Sequence, residues 1–325
     1  MTSRETTTTR VRRLTRAPLL AAATAAVLAA TSLAGMPAAS AASFNLEGWA
    51  TQGGGTTGGG SASPVTVTDS AGLISNMQAS GARVIRFSGT ISISGMQKVA
   101  ADKTIIGVGS GATITGGGLN VASVSNVIIR NINFRGWNDD AINVQYSTRV
   151  WIDHNSFTDG SDGAVDIKRS SDYVTVSWNR VFGHDKSFLL GHSDDNASED
   201  RGRLRVSYHH NWFDGSNQRH PRVRFGNPVH VYNNFYRSVG GYGVASTCDA
   251  GVLVEGNYFE DTDDPYHLGE GDSPNGSLVA RNNHFVNSGT GETGGSVASI
   301  PYGYSLDPAA DVKSIVTGGA GTGRI

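Results

Sequence analysis

A short phrase recurs along the chain and constrains the fold more than any other sequence feature. Each copy has a few alternating β-branched or aromatic residues, then Asn, one further residue and usually an aromatic. The copies are VWIDHNSF (150–157), VTVSWNRV (174–181), VSYHHNWF (206–213), VHVYNNFY (229–236), VLVEGNYF (252–259) and LVARNNHF (278–285). Their shared Asn residues are Asn155, Asn179, Asn211, Asn234, Asn257 and Asn283, at spacings of 24, 32, 23, 23 and 26 residues.

A repeat of about 23 residues is too short for a propeller blade and carries no leucine-rich signature. It fits one coil of a right-handed parallel β-helix, in which inward residues such as Val150, Val174 and Val229 stack along the axis and the Asn residues form a ladder between coils. A β-sandwich would not keep one phrase in register over six copies. We therefore predict an all-β, single-domain right-handed parallel β-helix, a solenoid of about 23-residue coils over residues 42–325.

The composition agrees with short strands joined by tight turns, because 43 residues are Gly and only five are Lys. The 26 basic and 28 acidic residues are nearly balanced, which excludes a nucleic-acid clamp. Cys248 is the one Cys and permits no intramolecular disulfide. By composition alone, the glycine-rich stretch 51–63 is typical of a flexible linker.

The first 41 residues have the pattern of a signal peptide. Five Arg residues precede an Ala- and Leu-rich run, and the stretch closes on Ala39-Ser40-Ala41, a small-residue cleavage site. We expect secretion to the outside of the cell, with a membrane anchor as the alternative. Cleavage after residue 41 removes five Arg and one Glu and leaves 21 basic and 27 acidic residues, a net charge of −6.

The 32-residue spacing between Asn179 and Asn211 indicates an insertion of eight or nine residues within 184–203. Insertions in a solenoid fall on loops at one face, and that face is usually the binding face. We expect the functional site on the same side.

Four phrases, one of them within the first repeat copy, carry a family resemblance: KTIIGVGSGATITGGGL (103–119), WIDHNSF (151–157), AVDIK (164–168) and RHPRVR (219–224). With these phrases in this order, the chain resembles the extracellular pectate lyases of polysaccharide lyase family 1, from about Phe44 to near the C-terminus. The resemblance implies calcium-dependent β-elimination of α-1,4-linked polygalacturonate (pectate) to 4,5-unsaturated oligogalacturonides. It also implies that the glycine-rich start belongs to the first coil.

Carboxylates crowd two consecutive coils, with Asp140 in one and Asp162 and Asp166 in the next. Coil stacking brings aligned positions to about 4.8 Å, where uncompensated carboxylates repel unless a cation lies among them. Oxygen ligands and secretion favour Ca²⁺ over Mg²⁺. The resemblance likewise assigns the calcium ligands to Asp140, Asp162 and Asp166, while a fourth family carboxylate falls on Asn138.

The basic residues of the site follow from the resemblance. It assigns catalysis to Arg219 and binding of the substrate carboxylates to Lys186 and Arg224. Lys168 is a further predicted substrate-binding residue, with pairing to a neighbouring Asp as the equal alternative. Arg is normally protonated below about pH 12, so a general-base role for Arg219 demands cationic neighbours and alkaline conditions.

Other conspicuous side chains favour structural roles. His154, His209 and His210 lie inside the strand phrases next to the Asn ladder, so hydrogen-bonded structural roles are favoured over metal or acid–base roles. The aromatics that end the phrases align with one another and predict an internal stack.

Three other activities remain open on sequence grounds. A polygalacturonase would need paired carboxylates with one protonated acid, a pectin lyase would act on methyl-esterified polymer, and a non-catalytic polysaccharide-binding β-helix would need only the cleft. For the pectate lyase hypothesis, the expected partner is polygalacturonate or pectin, with no nucleic acid or membrane, and the expected state is a monomer.

Overall fold

The computed structural model describes residues 45–325, and the predicted signal peptide over 1–41 lies outside the described residues. Each repeated phrase forms a strand, a corner that carries the Asn, and a second short strand. In the first copy, one strand ends at Asp153, Asn155 occupies the corner, and the next strand begins at Ser156. The strands pair in parallel from coil to coil, which confirms the predicted parallel β-helix.

Residues 45–325 contain 25 strands and three α-helices. The elements are β1 (Pro64–Thr66), α1 (Ser70–Gln78), β2 (Arg83–Phe87), β3 (Thr90–Lys98), β4 (Lys103–Gly107), β5 (Thr113–Ala122), β6 (Ser125–Arg130), β7 (Asn133–Arg135), β8 (Ile142–Gln145), β9 (Thr148–Asp153), β10 (Ser156–Thr158), β11 (Val165–Lys168), β12 (Asp172–Ser177), β13 (Arg180–Phe182), β14 (Phe188–Leu190), α2 (Ala197–Asp200), β15 (Val206–His209), β16 (Trp212–Asp214), β17 (Arg222–Arg224), β18 (Val229–Tyr232), β19 (Phe235–Arg237), β20 (Val244–Thr247), β21 (Gly251–Glu255), β22 (Tyr258–Glu260), β23 (Tyr266–Leu268), β24 (Ser277–Arg281), β25 (His284–Val286) and α3 (Val312–Gly319).

The strands form two sheets that follow the axis of the solenoid. A ten-stranded sheet has the order β1-β2-β4-β6-β9-β12-β15-β18-β21-β24. The second sheet has the order β23-β20-β17-β14-β11-β8-β5-β7-β10-β13-β16-β19-β22-β25, with β3 paired to β5. It therefore supplies two faces that meet at β5. The face formed by β8, β11, β14, β17, β20 and β23 is called the site face below.

Alternate residues of most strands point into one continuous core. Val150, Ile152, Val174 and Val176 are fully buried in it, as strand alternation requires. The phrase-ending aromatics stack along the axis, with ring centroids of Phe213, Tyr236, Phe259 and Phe285 spaced 5.0, 4.4 and 5.4 Å apart. The predicted internal stack is confirmed.

The Asn residues form the predicted ladder. Asn155 Nδ2 donates to Asn179 Oδ1 at 3.1 Å, and Asn179 Nδ2 donates to Asn211 Oδ1 at 3.0 Å. The backbone N–H of each Asn also donates to the next amide oxygen, as in the 2.9 Å bond from Asn155 N to Asn179 Oδ1. The ladder continues through Asn234 and Asn257, so each corner is hydrogen-bonded to the next coil.

The glycine-rich stretch 51–63 packs against the coils of the β-helix. Its interpretation as a flexible linker is therefore wrong. Asn126 Oδ1 accepts hydrogen bonds from Thr57 N at 2.7 Å and from Gly58 N at 2.8 Å. Gly59 N donates to Thr104 Oγ1 at 3.0 Å. Composition missed this because these bonds use backbone N–H groups, which any residue except Pro supplies.

The extra residues between Asn179 and Asn211 occupy a shorter segment than the predicted range 184–203. Phe188–Leu190 is a regular strand of the site face, so the extra residues are those that follow it. We call residues 191–204 the excursion. It contains a short 3-10 turn, Asp194–Asn196, and α2.

Histidines beside the ladder are hydrogen-bonded, consistent with structural roles. His154 Nδ1 lies 2.6 Å from Asp153 Oδ2, and His210 Nε2 lies 2.9 Å from Asp307 Oδ2. Within residues 45–325, helices are too short or too polar to cross a membrane.

Candidate active site

The site face carries the predicted site residues because its strands alternate between core and surface. In β11, Val165 and Ile167 enter the core while Asp166 and Lys168 point outward. In β17, Val223 enters the core between outward-pointing Arg222 and Arg224. Parallel strand pairing within the site face aligns Asp166 with Leu189, and Leu189 with Arg222. Acidic and basic side chains thus follow one another along the axis.

The turn before β11 fixes the position of Asp162. Trp137 Nε1 donates to the Asp162 carbonyl oxygen at 3.2 Å, and His184 Nε2 donates to the same oxygen at 2.9 Å. Burial lowers the pKa of His184, which keeps the ring neutral at neutral pH. The Asp162 backbone is therefore held from two neighbouring coils.

Three carboxylates converge at this turn. Oxygens of Asp139, Asp140 and Asp162 all lie within 4.8 Å of one another. Strand pairing between β8 and β11 places Ile142 opposite Val165. The same offset in residue number places Asp139 directly beside Asp162. Two of these residues were predicted as metal ligands, whereas Asp139 was missed, although the coil spacing could have identified it.

The absence of a side chain at Gly163 allows Asp166 to approach the same cluster. A Cβ atom at Gly163 would lie 2.0 Å from Asp166 Oδ1 and 3.0 Å from Asp140 Oδ1, so only Gly permits this packing. Asp166 Oδ1 is buried and has no hydrogen-bond partner among the described residues. A buried, unpaired carboxylate oxygen beside other carboxylates fits a hard cation such as Ca²⁺, which takes about six to eight oxygen ligands.

Lys168 partly compensates these charges. Its Nζ lies 2.8 Å from Asp140 Oδ2 and 3.2 Å from Asp166 Oδ2. Burial acts to lower the pKa of Lys168, but the two carboxylates outweigh it and raise that pKa. Burial and the Asp166 carboxylate raise the pKa of Asp140 to about 7, against the effect of Lys168. One ammonium therefore does not neutralise the cluster.

Lys186 and Arg219 meet at Asp162. Lys186 Nζ lies 3.1 Å from Asp162 Oδ1, and Arg219 Nη1 lies 3.9 Å from the same oxygen. The Arg219 side chain is 19% exposed. Two predicted cations of the site thus share one predicted metal ligand.

His220 anchors the loop that carries Arg219, and sequence reasoning missed it. His220 Nδ1 lies 2.8 Å from the Tyr242 carbonyl oxygen. That oxygen can only accept, so Nδ1 carries the proton and Nε2 accepts from Ser216 Oγ at 2.8 Å. Tyr236 Oη donates to the His220 carbonyl at 2.9 Å. Burial lowers the pKa of His220 to about 4, so the ring is a neutral anchor.

The two arginines of β17 have other partners. Arg224 Nε lies 2.6 Å from Asp194 Oδ1. Arg222 Nη2 donates to the Glu270 carbonyl at 3.0 Å and to Ser273 Oγ at 2.9 Å. Among the predicted residues, Asp162 therefore contacts Lys186 and Arg219, Lys168 contacts Asp140 and Asp166, and Arg224 contacts none of the others.

Comparisons with known proteins agree on the family. A family model described as pectate lyase matches residues 16–325. The chain is 38% identical over 285 residues to pectate lyase A of Emericella nidulans, covering 84% of this chain and 85% of that protein. It is 39% identical over 291 residues to a pectate trisaccharide-lyase of Thermotoga maritima, covering 76% and 78%. A Bacillus pectate lyase solved with trigalacturonate superposes with a TM-score of 0.79 at 28% identity, covering 86% of this chain and 99% of that chain.

Proposed function

The chain belongs to the pectate lyase family, and on that premise we propose that it cleaves polygalacturonate by calcium-dependent β-elimination. One observation carries the proposal: the Asp162 carboxylate lies beside Asp139 and Asp140 on one side and beside Lys186 and Arg219 on the other. Cation-binding carboxylates and cations that suit uronate groups thus meet at one point of the site face.

Calcium is proposed to bind at Asp139, Asp140, Asp162 and Asp166. The buried, unpaired Asp166 Oδ1 supports this. The raised pKa of Asp140 supports it as well, because burial and the Asp166 carboxylate disfavour a second negative charge that a bound cation would compensate. When bound, Ca²⁺ would neutralise the uronate carboxylate and act as a Lewis acid on it. Asp139 is added here to the three ligands expected from the sequence.

The cations of the site have separate roles in the proposal. Lys186 and Arg224 bind the uronate carboxylate, and their positive charge favours the electron-rich transition state. Arg219 in its neutral form, which alkaline conditions favour, accepts the proton from C5 of the sugar and becomes a guanidinium. The electrons of the C5–H bond form the C4–C5 double bond, and the glycosidic oxygen leaves C4 and is protonated by water. Lys168 holds the carboxylates of Asp140 and Asp166 in place and offers its remaining N–H to substrate.

A secreted monomer suits this activity. The pattern over 1–41 supports export, and the net charge of −6 after cleavage means that a polyanionic substrate is bound through local cations. We propose that the protein acts outside the cell on pectic polysaccharide.

The test is an ultraviolet assay with purified protein. Polygalacturonate and its methyl-esterified form are incubated with Ca²⁺ or with chelator, and absorbance of the unsaturated uronide is followed. The proposal predicts absorbance with polygalacturonate and Ca²⁺ only. Calcium-independent absorbance with the esterified polymer would indicate a pectin lyase, and chain cleavage without absorbance would indicate hydrolysis. Substrate binding without cleavage would leave only the non-catalytic alternative.

A further inference from the structure

Asp194 lies in the excursion and contacts an arginine of the site face. Its Oδ1 lies 2.6 Å from Arg224 Nε, and the Arg224 side chain is 11% exposed whereas Asp194 is 39% exposed. Arg224 is a strand residue, but its partner comes from the extra residues that follow β14. The excursion therefore reaches back to the charged part of the site face.

The same carboxylate joins further coils. Ser273 Oγ lies 2.9 and 2.8 Å from the two Asp194 oxygens, and the Cys248 thiol is another hydrogen-bond partner. Ser273 Oγ in turn accepts from Arg222 Nη2 at 2.9 Å. Burial acts to raise the pKa of Asp194, but the bonds from Arg224, Ser273 and Cys248 outweigh it and lower that pKa. Asp194 is thus a fixed anion with several donors.

These contacts decide which edge of the Arg224 guanidinium is available. Nε is bonded to Asp194, and Nη1 lies 3.4 Å from the Gly191 carbonyl oxygen. Within residues 45–325, Nη2 has no hydrogen-bond partner. A guanidinium can bind a carboxylate through its side edge or through its terminal nitrogens. Here Nε of the side edge is occupied, so Nη2 and the second N–H of Nη1 remain for a ligand.

We propose that Asp194 is a positioning residue, which fixes the Arg224 guanidinium so that its terminal nitrogens bind a substrate uronate. The inference rests on the proposed function, since it assumes that Arg224 binds uronate. An Arg that is already ordered loses less side-chain entropy on binding than a free one. Asp194 therefore strengthens substrate binding although its own charge repels the substrate.

A double-mutant cycle tests the inference by binding alone. Trigalacturonate is titrated by calorimetry with excess Ca²⁺ into Arg219→Ala protein, which prevents turnover, and into the same protein with Asp194→Ala, Arg224→Ala or both changes. Asp194→Ala is expected to weaken binding by up to about tenfold, because Arg224 must then lose its side-chain entropy when the substrate binds. The double variant is expected to bind no more weakly than Arg224→Ala, because Asp194 acts only through Arg224.

Two further variants keep the result interpretable. Asp194→Asn retains an acceptor for Arg224 Nε and is expected to lie between the parent and Asp194→Ala. Asp249→Asn removes an exposed pair with Arg201 and is expected to bind like the parent. If Asp194→Ala does not fold, Ser273→Ala and Asp194→Asn carry the test, and both are expected to weaken binding.

Unchanged or tighter binding by the Asp194 variants would overturn the inference, as would additive losses in the double variant. The outcome is separable from the proposed activity. If wild-type protein binds trigalacturonate without cleaving pectate, the activity fails while the cycle still decides the role of Asp194. If the parent does not bind trigalacturonate at all, both proposals fall.

Discussion

Asp139 and Asp162 occupy equivalent positions of consecutive coils, and their carboxylate oxygens lie within 4.8 Å of each other and of Asp140. Such proximity is costly for ionised groups unless a cation compensates it. The calcium proposal therefore makes a prediction about Asp139, which the sequence resemblance did not assign as a calcium ligand.

Asp139→Asn is expected to raise the calcium concentration needed for half-maximal activity about tenfold, because one anionic ligand is lost. Turnover at saturating calcium should stay near the wild-type value, since Asp139 contacts neither Lys186 nor Arg219. Asp159→Asn is the matched control, an acidic residue of a nearby turn outside the three-carboxylate cluster. The measurement is initial rate against free calcium. Equal calcium requirements for both variants would contradict the role of Asp139.

Calcium is also expected to stabilise the folded protein without any substrate. A ligand that binds only the native state stabilises it by about 2.7 kcal/mol at one hundred times its Kd, so the melting temperature of wild-type protein should rise with calcium. Asp166→Asn should fold, because the core comes from the coil repeat, yet its melting temperature should respond much less. A circular-dichroism melt with calcium or chelator measures both effects, and an unfolded Asp166→Asn protein would contradict this separation.

The fold was predictable because its determinants recur. Six phrases with Asn at one corner specify the coil, the inward residues and the ladder, and the structure has all three. The glycine-rich stretch was misinterpreted from composition, since its contacts run through backbone N–H groups that leave no side-chain signal.

The site was less predictable, because the contacts of Arg219 and Arg224 depend on loops. The motifs identified both arginines. His220 anchors the Arg219 loop through hydrogen bonds of its buried ring to Ser216 and to the Tyr242 carbonyl, and these partners are known only from the fold. Asp194 is one of several acidic residues in the excursion, and only the folded chain shows which of them reaches Arg224.

The ladder predicts a position-dependent stability loss. Asn211 Oδ1 accepts from Asn179, and Asn211 Nδ2 donates to the Val176 carbonyl and to Asn234 Oδ1, all buried. Asn211→Ala leaves several of these groups unpaired and should lower the free energy of unfolding by at least about 3 kcal/mol. Asn283→Ala at the more exposed end should cost less, because water can replace the amide. Urea denaturation of both variants is the test, and equal losses would contradict it.

Glu255 predicts an acid-sensitive region away from the site. Burial acts to raise its pKa, but hydrogen bonds from His230, Arg281 and Tyr304 outweigh it and lower the pKa from 4.5 to about 2. A carboxyl with a lowered pKa stabilises the fold above pH 4.5, and this contribution is lost as the pH falls towards 2.

Glu255→Gln should therefore reduce the slope of unfolding free energy against pH in that window, by up to about 1.4 kcal/mol per pH unit. Glu260→Gln, which removes a carboxylate paired with Lys313 at the surface, is the control and should keep the wild-type slope. Chemical denaturation at several pH values between 2 and 5 measures the slopes. A wild-type slope in Glu255→Gln would contradict the assignment.

The turnover of Arg219→Ala tests the central claim most directly. A positioned general base contributes about 10²- to 10⁴-fold to rate, so turnover on polygalacturonate with saturating calcium should fall at least that far while trigalacturonate affinity changes little. Arg219→Lys should fail as well, because the shorter ammonium does not reproduce the guanidinium geometry. The measurement is initial rate by ultraviolet absorbance of the unsaturated product, paired with calorimetric titration. Loss of turnover with retained binding is the predicted result, whereas Arg219→Ala protein that keeps more than about a tenth of wild-type turnover would contradict the account and place the base elsewhere, with Lys186 as the next residue to test.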